Sequence, residues 1–280
     1  MNFVPIKFGK SNLTPLATLT SSRAPTTSID NLKTEFRSRP VVFGTPSSSF
    51  SITGTFADYQ YINYFSLPGT NLDPETYVQL ELFDTTTSDP DLLGMTALPV
   101  YDLLPLGEWR AGIDAYGSDL NATERSALTV WLSSYYKCKV FRLTITANPA
   151  TDNADLRLRT FHIGESLRLE HNFDYGLSIN FMTEPELVRT SSGSYFPKRA
   201  QRESRAMSLD LSYATDNDRA ILAKFERRLQ GRPFIVSAYP DRRGWQLNEY
   251  TYLARFANAL SYTHVYEDIH SIPSIQIIEV

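Results

Sequence analysis

Cysteine is almost missing from this chain. Cys138 stands alone among 280 residues, so no internal disulfide can staple the fold, and stability must come from a packed core. A basic excess is missing too. Lys and Arg number 27 against 31 Asp and Glu, for a net charge of -4 and a pI near 5.6, which leaves no positive field to gather a phosphate backbone and argues against nucleic acid as a partner. No stretch approaches the roughly 18 consecutive apolar residues of a membrane span, and residues 1–10 lack the basic start and apolar centre of a secretory signal. The expectation is a protein made and kept in the cytoplasm until something carries it out.

The familiar chemistry-bearing motifs are also missing. The sequence has no Gly-x-x-x-x-Gly-Lys phosphate loop, no Gly-x-Gly-x-x-Gly fingerprint, no Gly-x-Ser-x-Gly elbow and no His-Glu-x-x-His zinc helix. The four histidines, His162, His171, His264 and His270, do not follow metal-ligand spacing, and each reads as a core or surface histidine. Cys138 lies in the strand-like run from Lys137 to Ala147 and reads as a buried, inert thiol. A glycosidase needs only two carboxylates, so 31 acidic residues leave that arithmetic open. Asp114 and Asp119 are the pair to name, and loop solvation explains them more simply. The expectation is no enzyme, no cofactor and no metal.

What is present is strand-forming material: 16 Tyr, 16 Phe and 42% hydrophobic residues. Within Tyr77 to Asp84, Val78, Leu80 and Leu82 share one face opposite Gln79 and Glu81. Phe141, Leu143 and Ile145 likewise oppose Arg142 and Thr144. Further strands are expected at 40–43, 50–56, 59–67, 127–132, 137–147 and 156–163, with turns at Pro68-Gly69, at 71–74, at 89–90 and around 99–107. This spacing suggests an antiparallel β-sandwich.

Later strands are expected at 176–181, 205–213, 234–239, 250–256, 260–266 and 274–280. In the second of these, Met207, Leu209, Leu211 and Tyr213 fall on one face. One helix is expected over 216–230. Thr215 with Asp218 three residues on forms a capping-box pattern, and Ile221, Leu222, Phe225 and Leu229 make an apolar stripe. Arg227 and Arg228 sit at the negative end of the dipole, Gly231 suits a left-handed cap, and Pro233 stops continuation.

The expected organisation is a Ser/Thr/Leu/Ala/Pro arm over 1–35, a sandwich over 36–170 and a second β domain over 171–280. An arm docked on a neighbour and an unattached leader both fit the first segment, in which Leu13, Leu16 and Leu19 recur every third residue. Residues 189–202 read as a mobile Ser/Gly/Arg loop. Its Tyr195, Phe196, Arg199 and Arg202, with Arg205 beyond, suit a subunit interface better than a glycan or nucleic-acid patch, because arginine and aromatics are enriched at protein contacts. Trp109, Trp131 and Trp245 read as core or interface residues rather than sugar platforms.

Residues 61–72 followed by 77–84, with the later runs 139–146 and 158–164, resemble the strands of galactose-binding-like jelly rolls found in phage virion proteins. The order strand 205–213, helix 216–230, strand 234–239 and terminal strands resembles the ring-forming domain of phage distal tail (Dit-like) proteins. Together these resemblances imply a tail-tip or baseplate structural protein of the virion. It would form a homo-oligomeric, hexameric ring between the tail tube and hub or fibre proteins. The jelly roll also implies an alternative, a carbohydrate-binding module holding a host glycan in loops such as 109–116.

Overall fold

A computed structural model of the chain describes residues 5–35, 39–44, 49–72, 76–84, 93–94, 98–99, 126–146, 155–174, 176–183, 186–189, 195–198, 203–241, 247, 249–266 and 268–280. In chain order its strands are β1 (Lys7–Gly9), β2 (Ala17–Ser21), β3 (Val41–Phe43), β4 (Phe50–Thr70), β5 (Tyr77–Phe83), β6 (Leu93–Gly94) and β7 (Leu98–Pro99). There follow β8 (Ser126–Thr146), β9 (Leu156–Leu158), β10 (His162–Gly164), β11 (Ser166–Arg168), β12 (Ser178–Thr183), β13 (Glu186–Arg189), β14 (Tyr195–Lys198) and β15 (Glu203–Thr215). The helix α1 (Asp216–Leu229) precedes β16 (Phe234–Ser237), β17 (Thr251–Phe256), β18 (Thr263–Tyr266) and β19 (Ile269–Glu279). Every strand pairing described is antiparallel. The fold is mostly β, with antiparallel sheets packed on a common core in the first unit and a second β unit with one helix. Among the described residues no helix is long and apolar enough to cross a membrane.

The chain divides into two compact units, 1–168 with 234–252, and 169–233 with 253–280. The first unit is built on a sheet of order β10-β4-β8-β5-β6, with β2 beside β4 and β7 beside β5. Its inward side chains, among them Ile52, Leu80, Phe141 and Leu143, join Val41, Phe43, Leu156 and Leu158 of the small β3–β9 sheet in one apolar cluster. Alternation drives this, because every second residue of a strand reaches the same face. In the same unit β1 pairs with β11 on one side and β16 on the other.

The segment expected as an arm is instead integral to this unit. Ile6, Phe8, Leu13, Ala17, Leu19 and Leu32 are buried, β2 pairs with β4 from Ala17↔Phe56 to Ser21↔Ile52, and the buried Thr14 hydroxyl donates to the Phe161 carbonyl at 2.7 Å. The spacing of three between leucines arises from a 3-10 turn at Thr14–Leu16, after which the chain becomes a strand. Two further expectations change. Residues 50–56 and 59–67 form one strand, as do 127–132 and 137–146, and the turn expected at Pro68-Gly69 is a bulge within β4. Gly69 supplies its positive φ of 69°. At Gly54 a Cβ would lie 2.2 Å from the Phe141 ring, so only glycine lets the two strands close over that side chain.

The second unit orders β12, β15 and β19, with β17 and β18 each paired to β19. The helix forms as its local signals dictate. Thr215 Oγ1 accepts from the Asp218 amide at 3.1 Å, Leu222 and Phe225 are buried, and Phe225 meets Phe256 edge-on. Burying each of these two side chains contributes about 1.5–3 kcal/mol. The helix ends at Leu229, one residue before the expected end, because Gln230 already takes the left-handed conformation at φ 49°, with Gly231 also positive. Tyr213 departs from its expected face. Met207, Leu209 and Leu211 are buried, but a register shift between Leu211 and Ala214 turns Ala214 inward and leaves Tyr213 66% exposed. The loop expected over 189–202 contains instead the hairpin β13–β14, from Glu186↔Lys198 to Arg189↔Tyr195.

Candidate functional site

Of the residues expected in a subunit-interface loop, Tyr195, Phe196 and Arg205 fall among the described residues. Tyr195 and Phe196 belong to β14 and pair with Arg189 and Val188, while Arg199 and Arg202 lie outside the described residues. Arg205 is not an interface residue of a loop. It is 5% exposed within β15 and its guanidinium meets the Glu279 carboxylate, Nε to Oε2 at 2.9 Å and Nη2 to Oε1 at 3.2 Å. Two-point contact with a planar fork holds a charge away from water. Trp109, Asp114, Tyr116, Asp119 and Trp245 also lie outside the described residues.

An open polar depression of about 440 Å³ occupies the solvent face of the main sheet in the first unit. Strand register explains its composition. Thr20, Thr53, Arg142 and Glu81 stand opposite one another across β2, β4, β8 and β5, and the next row carries Ser51, Thr144 and Gln79 beside Ser22. These are the outward positions of strands whose inward positions form the core. Arg142 Nη1 lies 3.4 Å from Glu81 Oε2, and its guanidinium stacks 5.0 Å from the Phe83 ring. The rows therefore present hydroxyls, an amide and a fixed ion pair side by side, which together donate and accept hydrogen bonds.

Further along the same pair of strands, four residues of β4, 56–59, face the single residue Lys139 of β8. This bulge lifts Tyr59 out of the sheet with 41% exposure. Its ring is approached by Lys137 Nζ at 4.8 Å and Lys139 Nζ at 6.0 Å, while its hydroxyl bonds Asp84, which raises its pKa. Cys138, between these lysines, is fully buried, and desolvation pushes its thiol up to about 12. It is an inert core residue, as its strand position suggests.

In the second unit, the ligand atoms of Glu170, His171 and Asp218 lie within 4.8 Å of one another. This grouping escaped sequence reasoning because residues 170–171 and 218 are distant in the chain. Its oxygens are engaged. The buried Asp218 accepts from the amides of Glu170 at 2.8 Å and His171 at 3.3 Å, and Glu170 accepts from Thr215 and Asn217. The group clamps the start of α1 to residues 170–171. Nearby, His270 Nε2 meets Asp216 Oδ1 at 2.6 Å and its ring lies 4.9 Å from that of His264. The His270 hydrogen bond holds the Asp216 carboxyl below its ordinary value.

The molecule is thus a two-unit β protein with a polar sheet face in the first unit and polar clamps at the helix of the second. No family model and no curated protein matches the sequence. Among solved structures, a fucosidase from Ruminococcus gnavus is similar at a TM-score of 0.40 and 10% identity, over 57% of this chain and 28% of that one. The chitosan-binding module 1 of a Paenibacillus chitosanase/glucanase is similar at a TM-score of 0.36 and 11% identity, over 55% of this chain and 99% of the module. A family 32 carbohydrate-binding module of Streptococcus pneumoniae EndoD is similar at 0.37 and 12%, over 55% and 99%. At these scores no residue correspondence follows. The chain spans less than a third of the fucosidase.

Proposed function

We propose that the first unit is a carbohydrate-binding module. The observation that carries this reading is the depression on its sheet face, where Ser51, Thr53, Gln79, Glu81, Arg142 and Thr144 are juxtaposed by register. Saccharide hydroxyls are paired donors and acceptors, and a rigid row of the same kind recognises them without a deep cavity. A guanidinium already held by Glu81 and the Phe83 ring loses little freedom when it takes up a ligand hydroxyl. The test is calorimetric titration of the purified chain with a panel of bacterial and plant oligosaccharides. Binding by at least one, weakened about tenfold by Arg142→Leu or Gln79→Ala, is expected from the loss of one charge-assisted or neutral hydrogen bond. Silence across the panel, from protein with a native circular dichroism spectrum, counts against it.

A second reading, a structural subunit of a phage tail tip or baseplate, is favoured by the second unit. Phe181, Tyr213, Val265 and Tyr266 are all more than half exposed there, and β18 has every residue exposed. Exposed apolar side chains beside a strand edge suit association with other subunits, including further copies of the chain. In this reading the oligomer is a hexameric ring between tail tube and hub or fibre proteins of the virion, and the jelly-roll unit can serve adsorption to host glycan. Light scattering with negative-stain imaging decides it: a six-fold ring supports the ring, and a monomer at high concentration argues against it.

A further inference from the structure

Three basic side chains of the first unit meet a carboxylate. Lys10 meets Glu165, Lys33 meets Asp30 and Arg142 meets Glu81. Lys7 and Arg168 do not. They face each other directly across β1 and β11, and among the described residues neither forms an ion pair. Like charges at opposed positions of an antiparallel pair are destabilising. Burial, and then the Arg168 guanidinium, hold the half-buried Lys7 ammonium below its ordinary pKa.

The surroundings of Lys7 supply donors and an aromatic face. Its Nζ lies 5.6 Å from the centre of the Trp131 ring, which stacks on Tyr64 at 5.2 Å. The indole N–H of Trp131 is shielded from solvent and has no hydrogen-bond partner. Ammonium, guanidinium and indole N–H are groups that donate and never accept. A neutral sugar, which needs acceptors as well, does not match them. We propose that Lys7, Arg168 and Trp131 form a binding site for an oxyanion, a sulfate or carboxylate group. The bound anion offsets the charge of the opposed pair, and the stacked Trp131–Tyr64 rings hold the ammonium in place. The site is separate from the neutral rows of the sheet face and does not depend on the carbohydrate reading.

The test uses the full chain labelled with nitrogen-15 and follows the Trp131 indole N–H, assigned by Trp131→Phe or by sequential assignment. Sodium sulfate and sodium glucuronate are titrated against sodium chloride at matched ionic strength. Saturable shifts with both oxyanions and none with chloride are expected. Lys7→Met and Arg168→Gln should each weaken binding about tenfold or more, as the loss of one charge-assisted contact implies, while Lys33→Met leaves it unchanged. Two supporting outcomes distinguish the source of the group: a glucuronate oligomer binding tenfold tighter than the monomer assigns the site to an acidic saccharide, and equal affinity assigns it to a free anion. No saturable shift, an equal response to chloride, or affinity unaffected by both variants overturns the proposal. Binding of a neutral oligosaccharide that leaves Trp131 unmoved would retain the carbohydrate reading while this site failed.

Discussion

The two units differ in buried charge: among the described residues Arg205, Asp218 and Glu279 are buried in the second unit, whereas the first buries neutral polar groups such as Asn63, Ser66 and Thr129. The first holds a continuous apolar cluster in which Phe56, Phe141 and Phe161 meet ring to ring at about 5.5 Å. The second has a smaller apolar layer, with Met207, Leu209, Leu222, Phe225 and Ile277, and beside it the buried Arg205–Glu279 pair and the Asp218 clamp. Apolar packing is non-directional and tolerates some rearrangement, whereas a buried polar group needs its partner at one geometry. The apolar cluster of the first unit should therefore respond to changes of volume, and the buried charges of the second to the loss of a single partner.

Truncation tests the contrast most severely. Phe141→Ala removes a ring at the centre of the first cluster and should cost about 3–5 kcal/mol, read by urea unfolding. Arg205→Met should cost a similar amount, about 3–5 kcal/mol, because it strands the Glu279 carboxylate away from water. The two differ in rescue. The double variant Arg205→Met with Glu279→Leu should recover most of the loss, since an apolar pair of similar volume avoids burying charge. A double variant no better than Arg205→Met alone would erase the proposed difference between the units.

Smaller effects sharpen it. Asp218→Ala removes the acceptor for two backbone amides and should destabilise by about 1–3 kcal/mol. Gly54→Ala forces a methyl against the Phe141 ring and should cost about 1–3 kcal/mol, relieved when Phe141 is also shortened to leucine. The smallest change concerns acid. The Asp216 carboxyl titrates below its ordinary value of 3.8 in the folded chain, so its contribution is present above that pH and is lost as the pH falls through the lower folded value. His270→Phe should remove this dependence and shift the acid-unfolding midpoint slightly upward, as followed by circular dichroism.

Much of the fold was legible because alternation and capping are local. The apolar face of 77–84, the faces of 141–145 and the helix from Asp216 all follow from neighbouring residues. Tyr213 was misplaced because a bulge breaks the period of two without leaving a mark in the residue types. The arm was misread because one turn of 3-10 helix joined to a short strand has no repeating period to detect. The sheet-face rows were half legible: Gln79, Glu81, Arg142 and Thr144 were recognisably outward, but their order across strands depends on register.

By itself the sequence determined the mostly β class, the position and ends of the one described helix to within a residue, and the burial of Cys138. Each depends on residues within a few positions of one another, where backbone geometry and side-chain period act directly. Only the tertiary structure decided that Arg205 meets Glu279, that Glu170 and His171 reach Asp218, and that Lys7 faces Arg168 beside Trp131. Those pairings are set by strand register and by the chain returning to a distant segment, and the energy that selects them comes from the shared core rather than from the paired residues.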